Sequence, residues 1–397
     1  MRTSSPRHQP DSCLLVAHNY HPAVGAAATR LQLLTEALVE QGHQVTVLTS
    51  SAIGRHTGPT GEQVVGTGAD WMPGSRILRT SVLAARALAE ASSGRHRVVV
   101  SDPPPYVAAA AMLGARIGRA VGVFYYCDSW ASVAASRDSA AWRWAGRLFA
   151  RLESMASRLA RLTVASTPAL EQRARRSSRC VQLVRNGTDL RIYSPEGEGF
   201  TGTQLPEPYF VYAGTMGLVH GAHVFIEAAE QLWAEGHEFG LVFVGSGAES
   251  QQMEEAARAN PGRITYLEPV PPTEVAQLYR GSLGALVSMR PIAGYEDAWP
   301  VKTLAAMSCG SIPVYVSDGD LAATLRAEGL GFVESHGVDG ARRAMLGVLE
   351  LDEDARRDLA ERCRSHAAEH FDQRRAAQSV ARTIAELSPR PHSGEQH

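Results

Sequence analysis

Residues 12–50 read SCLLVAHNYHPAVGAAATRLQLLTEALVEQGHQVTVLTS. The run Cys13 to Ala17 is short and continuously apolar, so it predicts a buried strand. Ala27 to Gln41 then places its leucines at helical spacing, and Gly42 supplies a C-terminal stop. Gln44 to Leu48 is a second strand of the same kind. Strand, helix, strand with no room for a hairpin is a βαβ unit, and it predicts parallel pairing with a crossover helix.

Outward from this unit the same alternation repeats. Further strands are predicted at Arg97 to Val100, Val121 to Tyr126, Leu162 to Ala165 and Cys180 to Val184, with a long helix from Ser139 to Arg161. Residues 196–208, EGEGFTGTQLPEP, are rich in Gly, Pro and Glu and have no period, which marks a boundary. The alternation restarts with strands Tyr209 to Ala213, Gly240 to Val244, Ile264 to Tyr266, Ala285 to Ser288 and Ile312 to Val316. Helices fall at His220 to Glu235, Ala248 to Ala259, Glu274 to Arg280 and Val301 to Ser308. A last helix runs from Gln373 to Leu387, followed by a polar tail. The fold class expected is α/β, with two Rossmann-like parallel-sheet domains of similar size: residues 1–197, residues 198–371, and a terminal helix and tail at 372–397.

With 397 residues, 44% apolar and 20% charged, the chain can bury a core in each half. A net charge of -2 gives no general attraction for nucleic acid, and no nucleic-acid partner is expected. Five scattered cysteines form no CxxC pair, so a reducing cytoplasm without disulfides or structural zinc is the expected setting. The longest apolar stretch, Tyr106 to Tyr126, is broken by Arg116 and Arg119 and is no membrane span. The common serine-hydrolase, zincin and P-loop motifs are absent from the sequence.

In parallel sheets ligands gather beyond the carboxyl ends of the strands, so the loops there hold the candidate residues. After the first strand, Gly25 and the alanines that follow would leave helix-start amides open to an anion; a tight turn with alanines chosen for helix propensity is the alternative. After Tyr209 to Ala213, the loop with Gly214, Thr215, Gly217 and His220 has the same logic; a plain turn is the alternative. Of 39 basic residues 38 are arginine, and the single lysine is Lys302. It stands at a predicted helix start behind Pro300, and with Arg290 it would flank an anion, where a compact charge is wanted; a solvated surface lysine is the alternative. Asp128, beside Trp130, would either position an acceptor hydroxyl or cap a helix. Asp318 and Asp320 have metal-pair spacing but sit in a glycine turn, and no metal role is expected. Trp142, Trp144, Phe149 and Leu152 on the 139–161 helix read as a core-facing stripe. Their mixture with arginines also suits a membrane-surface helix, so a peripheral contact at the inner face of the plasma membrane is the second reading.

Several stretches, in order, resemble the retaining two-domain glycosyltransferases of family four. VRNGTDLRIYSP resembles the family's stretch before the linker. VVVSDPPPYVAAAA and CDSWASV resemble segments of its colanic-acid and O-antigen subgroup. YAGTMGLVHGAH, VFVGSGAESQQME and WPVKTLAAMSCGSIPV follow in family order. The resemblance implies the GT-B fold, a cleft between its domains and a C-terminal helix crossing back to the first.

By the same resemblance the second domain takes a nucleoside diphosphate sugar as co-substrate, without metal or cofactor. Lys302 and Arg290 would meet the diphosphate, with Gly214, Thr215, Gly217 and His220 near it, Val270 by the base, and Glu296 or Asp297 by the sugar. The first domain would take the acceptor, a glycan, lipid-linked sugar or small molecule, with Gly25 closing on the donor. Two departures stand out. Asp297 replaces one family glutamate, and Ala305 replaces the other, which would cost nucleotide binding roughly 1.5 to 3 kcal/mol for the lost ribose bond. That second departure motivates a rival expectation, a protein of this fold that binds but no longer transfers.

Overall fold

The computed structural model describes residues 12–21, 23, 25–67, 76–135, 139–292 and 298–388. The chain divides into two compact units, 1–185 with 373–397, and 186–372.

The first unit runs β1 (Ser12–Ala17), α1 (Ala26–Glu40), β2 (Gln44–Thr49), β3 (Arg55–Thr57), β4 (Gln63–Gly66), α2 (Arg76–Ser92), β5 (Val98–Ser101), α3 (Pro105–Ile117), β6 (Val121–Tyr126), α4 (Trp130–Ala135), α5 (Ala140–Leu159), β7 (Leu162–Ala165), α6 (Pro168–Arg175) and β8 (Val181–Leu183). Its sheet has the order β3-β4-β2-β1-β5-β6-β7-β8, parallel except for β3 against β4. Side-chain alternation along β1 explains the layering. Cys13, Leu15 and Ala17 join a core with Leu31, Leu34 and Leu38 of α1, while Leu14 and Val16 join the opposite core with Leu83, Met112 and Ala156.

The second unit runs β9 (Tyr209–Ala213), α7 (Val224–Ala234), β10 (Gly240–Val244), α8 (Ser250–Ala259), β11 (Ile264–Leu267), α9 (Pro272–Arg280), β12 (Gly284–Ser288), α10 (Val301–Ser308), β13 (Ile312–Val316), α11 (Asp320–Glu328), β14 (Phe332–Glu334), α12 (Val338–Leu349) and α13 (Glu353–His370). Its all-parallel sheet has the order β11-β10-β9-β12-β13-β14. The last helix, α14 (Gln373–Leu387), returns to the first unit. There Val380, Ala381 and Ile384 enter the core under α1, Arg374 pairs with Glu40 at 2.6 Å, and Arg97 Nε donates to Ser388 Oγ at 2.7 Å.

In each sheet the strand order reverses beside its first strand: β1 lies between β2 and β5, and β9 between β10 and β12. Such a switch point opens a crevice at the carboxyl ends. The loops after β9 and β12 therefore flank the second unit's crevice.

Three expectations need correction. The sheets differ in size, eight strands against six, because the edge pair β3 and β4, too short to show a period, adds to the first. The first unit ends at Arg185, not at residue 197, since 186–198 is tied into the second unit: the Thr188 amide donates to Phe371 C=O, and Arg280 donates to the carbonyls of Ser194 and Glu198. The aromatic stripe of α5 is not a core face. Trp144 is 68% exposed, and the buried side of the helix carries Gly146, Glu153, Ala156 and Ser157 instead.

Candidate functional site

The second unit's crevice is built on close backbone approach. Gly214 leaves β9 with its amide donating to Val244 C=O, and a Cβ on Gly245 would lie 2.1 Å from Gly214 O. With φ +135° at Gly245 as well, only glycine fits. Gly245→Ala is expected to destabilise the protein by at least about 2 kcal/mol, from backbone strain plus the clash. A thermal melt should show it as a fall in Tm of about 4 °C or more.

Lys302 lies in the first turn of α10, whose preceding residue is Pro300. Its side chain crosses over the glycine loop: a Cβ on Gly214 would sit 3.4 Å from Lys302 Cε. The ammonium donates to Tyr212 Oη at 2.7 Å and lies 4.0 Å from the centre of that ring. Tyr212 Oη in turn donates to Thr215 C=O at 2.9 Å. So β9 contributes, two residues before the loop, the side chain that aims Lys302. Burial pushes the Lys302 pKa down from its ordinary 10.5 to about 7.

Two histidines line the rest of the crevice, and in both the cationic form is disfavoured. His220 is held down to about 4, by burial and then by the charge of Lys302. His336 is lowered by burial, Arg290 and His223. Gly221, at φ +61°, lets these groups close in, because a Cβ there would lie 2.7 Å from both Arg290 Nε and His336 Nε2. Glu249, 6% exposed, lies among them and accepts from Arg290 Nη2 at 2.9 Å and from the Ala222 amide at 3.3 Å. Basic groups held toward their neutral forms by burial first and by neighbouring charge second, around a glycine loop and a helix start, form a site that an anion would relieve.

The residues singled out in the sequence fall as follows. Gly214, Thr215, Gly217, His220 and Lys302 come together, and Gly217 lies against His220. His220 does not begin a helix: α7 starts at Val224, after the turn at Gly221. Arg290 reaches the crevice beyond β12, its amide donating to Val219 C=O, but its guanidinium is engaged by Glu249. Val270 packs against the apolar cluster beneath β9. Ala305, 3% exposed, belongs to that same cluster and offers no polar group. Glu296 and Asp297 lie outside the described residues. Asp318 pairs with Arg326 and accepts from Ser335.

Gly25, Asp128 and Asp102 belong to the first unit. Gly25 precedes α1 with φ +142°. Asp128 is exposed in the loop after β6, and α4 is entered through Ser129, whose hydroxyl accepts the Ser132 amide. Asp102, just past β5, is 4% exposed. Its pKa is raised to about 7 by burial, against the opposing charge of Arg30 from α1. Tyr212, Glu249 and Asp102 were not among the residues expected. Their signal lies in three-dimensional proximity, not in any local motif.

Residues 198–367 match the family described as glycosyl transferases group 1, and residues 25–192 match glycosyltransferase family 4. A curated relative, the D-inositol 3-phosphate glycosyltransferase of Corynebacterium jeikeium, is 25% identical over 232 residues; that match spans 54% of this chain and 54% of the relative. Among solved structures, sucrose-phosphate synthase from Thermosynechococcus elongatus aligns with a TM-score of 0.73 at 16% identity, over 95% of this chain and 99% of that one. The lipopolysaccharide glycosyltransferase WaaG aligns at 0.71 and 16%, over 94% and 99%. Anabaena HepE, solved with UDP-glucose, aligns at 0.69 and 15%, over 95% and 100%. Each half of the chain thus matches its own glycosyltransferase model on a shared fold, and the protein is a GT-B glycosyltransferase of family 4.

Proposed function

We propose that the protein is a retaining, metal-independent glycosyltransferase that uses a nucleoside diphosphate sugar, with UDP sugars the first donors to test because HepE was solved with one. The single observation that carries this reading is the crevice of basic groups around Gly214, with Lys302 held by Tyr212 at a helix start. As the bond between the sugar's C1 and the diphosphate breaks, its electron pair leaves with the diphosphate. Lys302 and the N-terminal end of α10 stabilise that growing charge, and Arg290, His220, Thr215 and Gly217 line the same crevice. The acceptor oxygen bonds to C1 on the face the diphosphate leaves, and its proton is released.

Asp128 and Gly25 are assigned to the acceptor hydroxyl and the donor respectively. Val270 is assigned to the base, and Glu296 or Asp297 to the sugar; the Asp128 assignment rests on its loop position and the others on resemblance. A surface glycan or a glycosylated small molecule is the product class, made in the cytoplasm. No helix among the described residues is long and apolar enough to cross a membrane.

The test is calorimetry of the purified protein against UDP, GDP, ADP and TDP, beside Lys302→Ala. Selective binding of one nucleotide, lost in the variant, supports the reading. Binding of none supports the rival that Ala305 motivates, a protein of this fold without a working donor site. Turnover is expected to survive a chelator. Complete loss restored by Mn²⁺ would shift the electrostatic role to a metal and to acids such as Asp318 and Asp320.

A further inference from the structure

Of the ten large apolar side chains exposed among the described residues, eight lie on α2, α3 and α5. These helices form one layer: α3 packs against both α2 and α5, and all three contribute to one core under the sheet. Ile77 of α2 is 74% exposed, Ile117 of α3 59% and Trp144 of α5 68%. So much apolar surface turned outward on one layer is unusual for a face that meets only water.

Helical geometry shows why α5 points this way. Its buried residues Gly146, Glu153 and Ala156 fall on one side, with Glu153 accepting from Tyr126 Oη at 2.8 Å and from the Ala131 amide at 3.1 Å. Gly146 permits the close approach of α4, since a Cβ there would lie 3.2 Å from Ala131 O. Trp144, Leu148, Arg151 and Met155 recur at spacings of four, three and four, which makes them one stripe on the opposite side. Arg147 and Arg158 border it, and all three arginines are exposed.

Charge points the same way. The three helices carry eight arginines and two glutamates. Neither glutamate offsets the outward charge: Glu153 is buried, and Glu90 is paired with Arg95 and His96. A face with cations interleaved among Trp, Leu, Ile and Met, and no free acid, complements a surface that is both anionic and able to take in apolar groups.

We propose that this helical face docks on an anionic lipid bilayer, with Trp144, Leu148 and Met155 entering the headgroup region and Arg147, Arg151 and Arg158 meeting lipid phosphates. The docking is independent of the donor chemistry and holds the first unit at a membrane surface.

The test is co-sedimentation of the full chain with vesicles of phosphatidylcholine alone and with phosphatidylglycerol added, over a range of salt. Binding is expected only to the anionic vesicles and should weaken as salt screens it. The double variant Arg147→Gln, Arg151→Gln is expected to lower partitioning roughly 30-fold, and Trp144→Ser about tenfold. Both variants change exposed positions and should keep the wild-type melting temperature and nucleotide binding, so lost docking can be told from lost folding or a failed donor site. Three results would overturn the proposal: no sedimentation with anionic vesicles, equal sedimentation with both, or variants that bind like wild type. Self-association abolished by Trp144→Ser would overturn it too, by making the face an interface between copies of the chain.

Discussion

Lys302→Ala is expected to lower turnover on the order of 100- to 1,000-fold, the scale of losing one preorganised charge from a developing anion. The loss should fall mainly on kcat, because the charge on the leaving diphosphate is greater in the transition state than in the bound donor. The melting temperature supplies the control. Burial holds the Lys302 pKa near 7 instead of 10.5, so at neutral pH the folded protein keeps this ammonium against its own stability. Removing it costs the bond to Tyr212, the contact with its ring and the packing of the stem over Gly214, and relieves that desolvation, so the melting temperature should shift by only a few degrees. Near-normal turnover would sink the assignment of Lys302 to the diphosphate. A collapse of both turnover and melting temperature would make Lys302 a structural residue.

Tyr212 shows where sequence reading ends. The order of strands and helices was legible because buried parallel strands are short apolar runs and their crossover helices carry a 3.6 period. Val301–Ser308 and Gln373–Leu387 were delimited from that pattern alone, and the structure has the same bounds. The loop glycines and Lys302 were legible because each breaks a local rule: glycine at a helix start, and one lysine in a chain that otherwise uses arginine.

Tyr212 breaks no rule. It is an ordinary aromatic on a core strand, and its role comes from meeting a residue 90 positions away. Glu249 likewise looks like a surface acid until Arg290 is seen against it. On α5 periodicity revealed two unlike faces but not which one turns inward. Gly146 and Glu153 decide that, through contacts with α4 and Tyr126 that no local pattern encodes.

The pH dependence of nucleotide binding should report the same ammonium without any mutation. In the free protein Lys302 is half-protonated near pH 7. A bound diphosphate favours the charged form and raises that pKa, so above pH 7 each binding event must take up close to one proton. Affinity for the nucleoside diphosphate is therefore expected to fall about fivefold from pH 7 to pH 8 and close to tenfold from pH 8 to pH 9, roughly 50-fold in all. The ligand does not confound this window, because a terminal phosphate with pKa about 6 is already ionised there.

Calorimetry in buffers of different ionisation enthalpy should show the uptake directly, approaching one proton per nucleotide at the upper end. Lys302→Arg keeps a charge at every pH in the range, so it should bind with no such slope, though more weakly where a planar fork replaces a point charge. His220 titrates near pH 4 in the free protein, so its contribution falls below this window, and His220→Gln should leave the slope above pH 7 intact. A wild-type protein that binds nucleotide equally well at pH 7 and pH 9 would place the diphosphate away from Lys302, and the crevice around Gly214 would then have to be read without it.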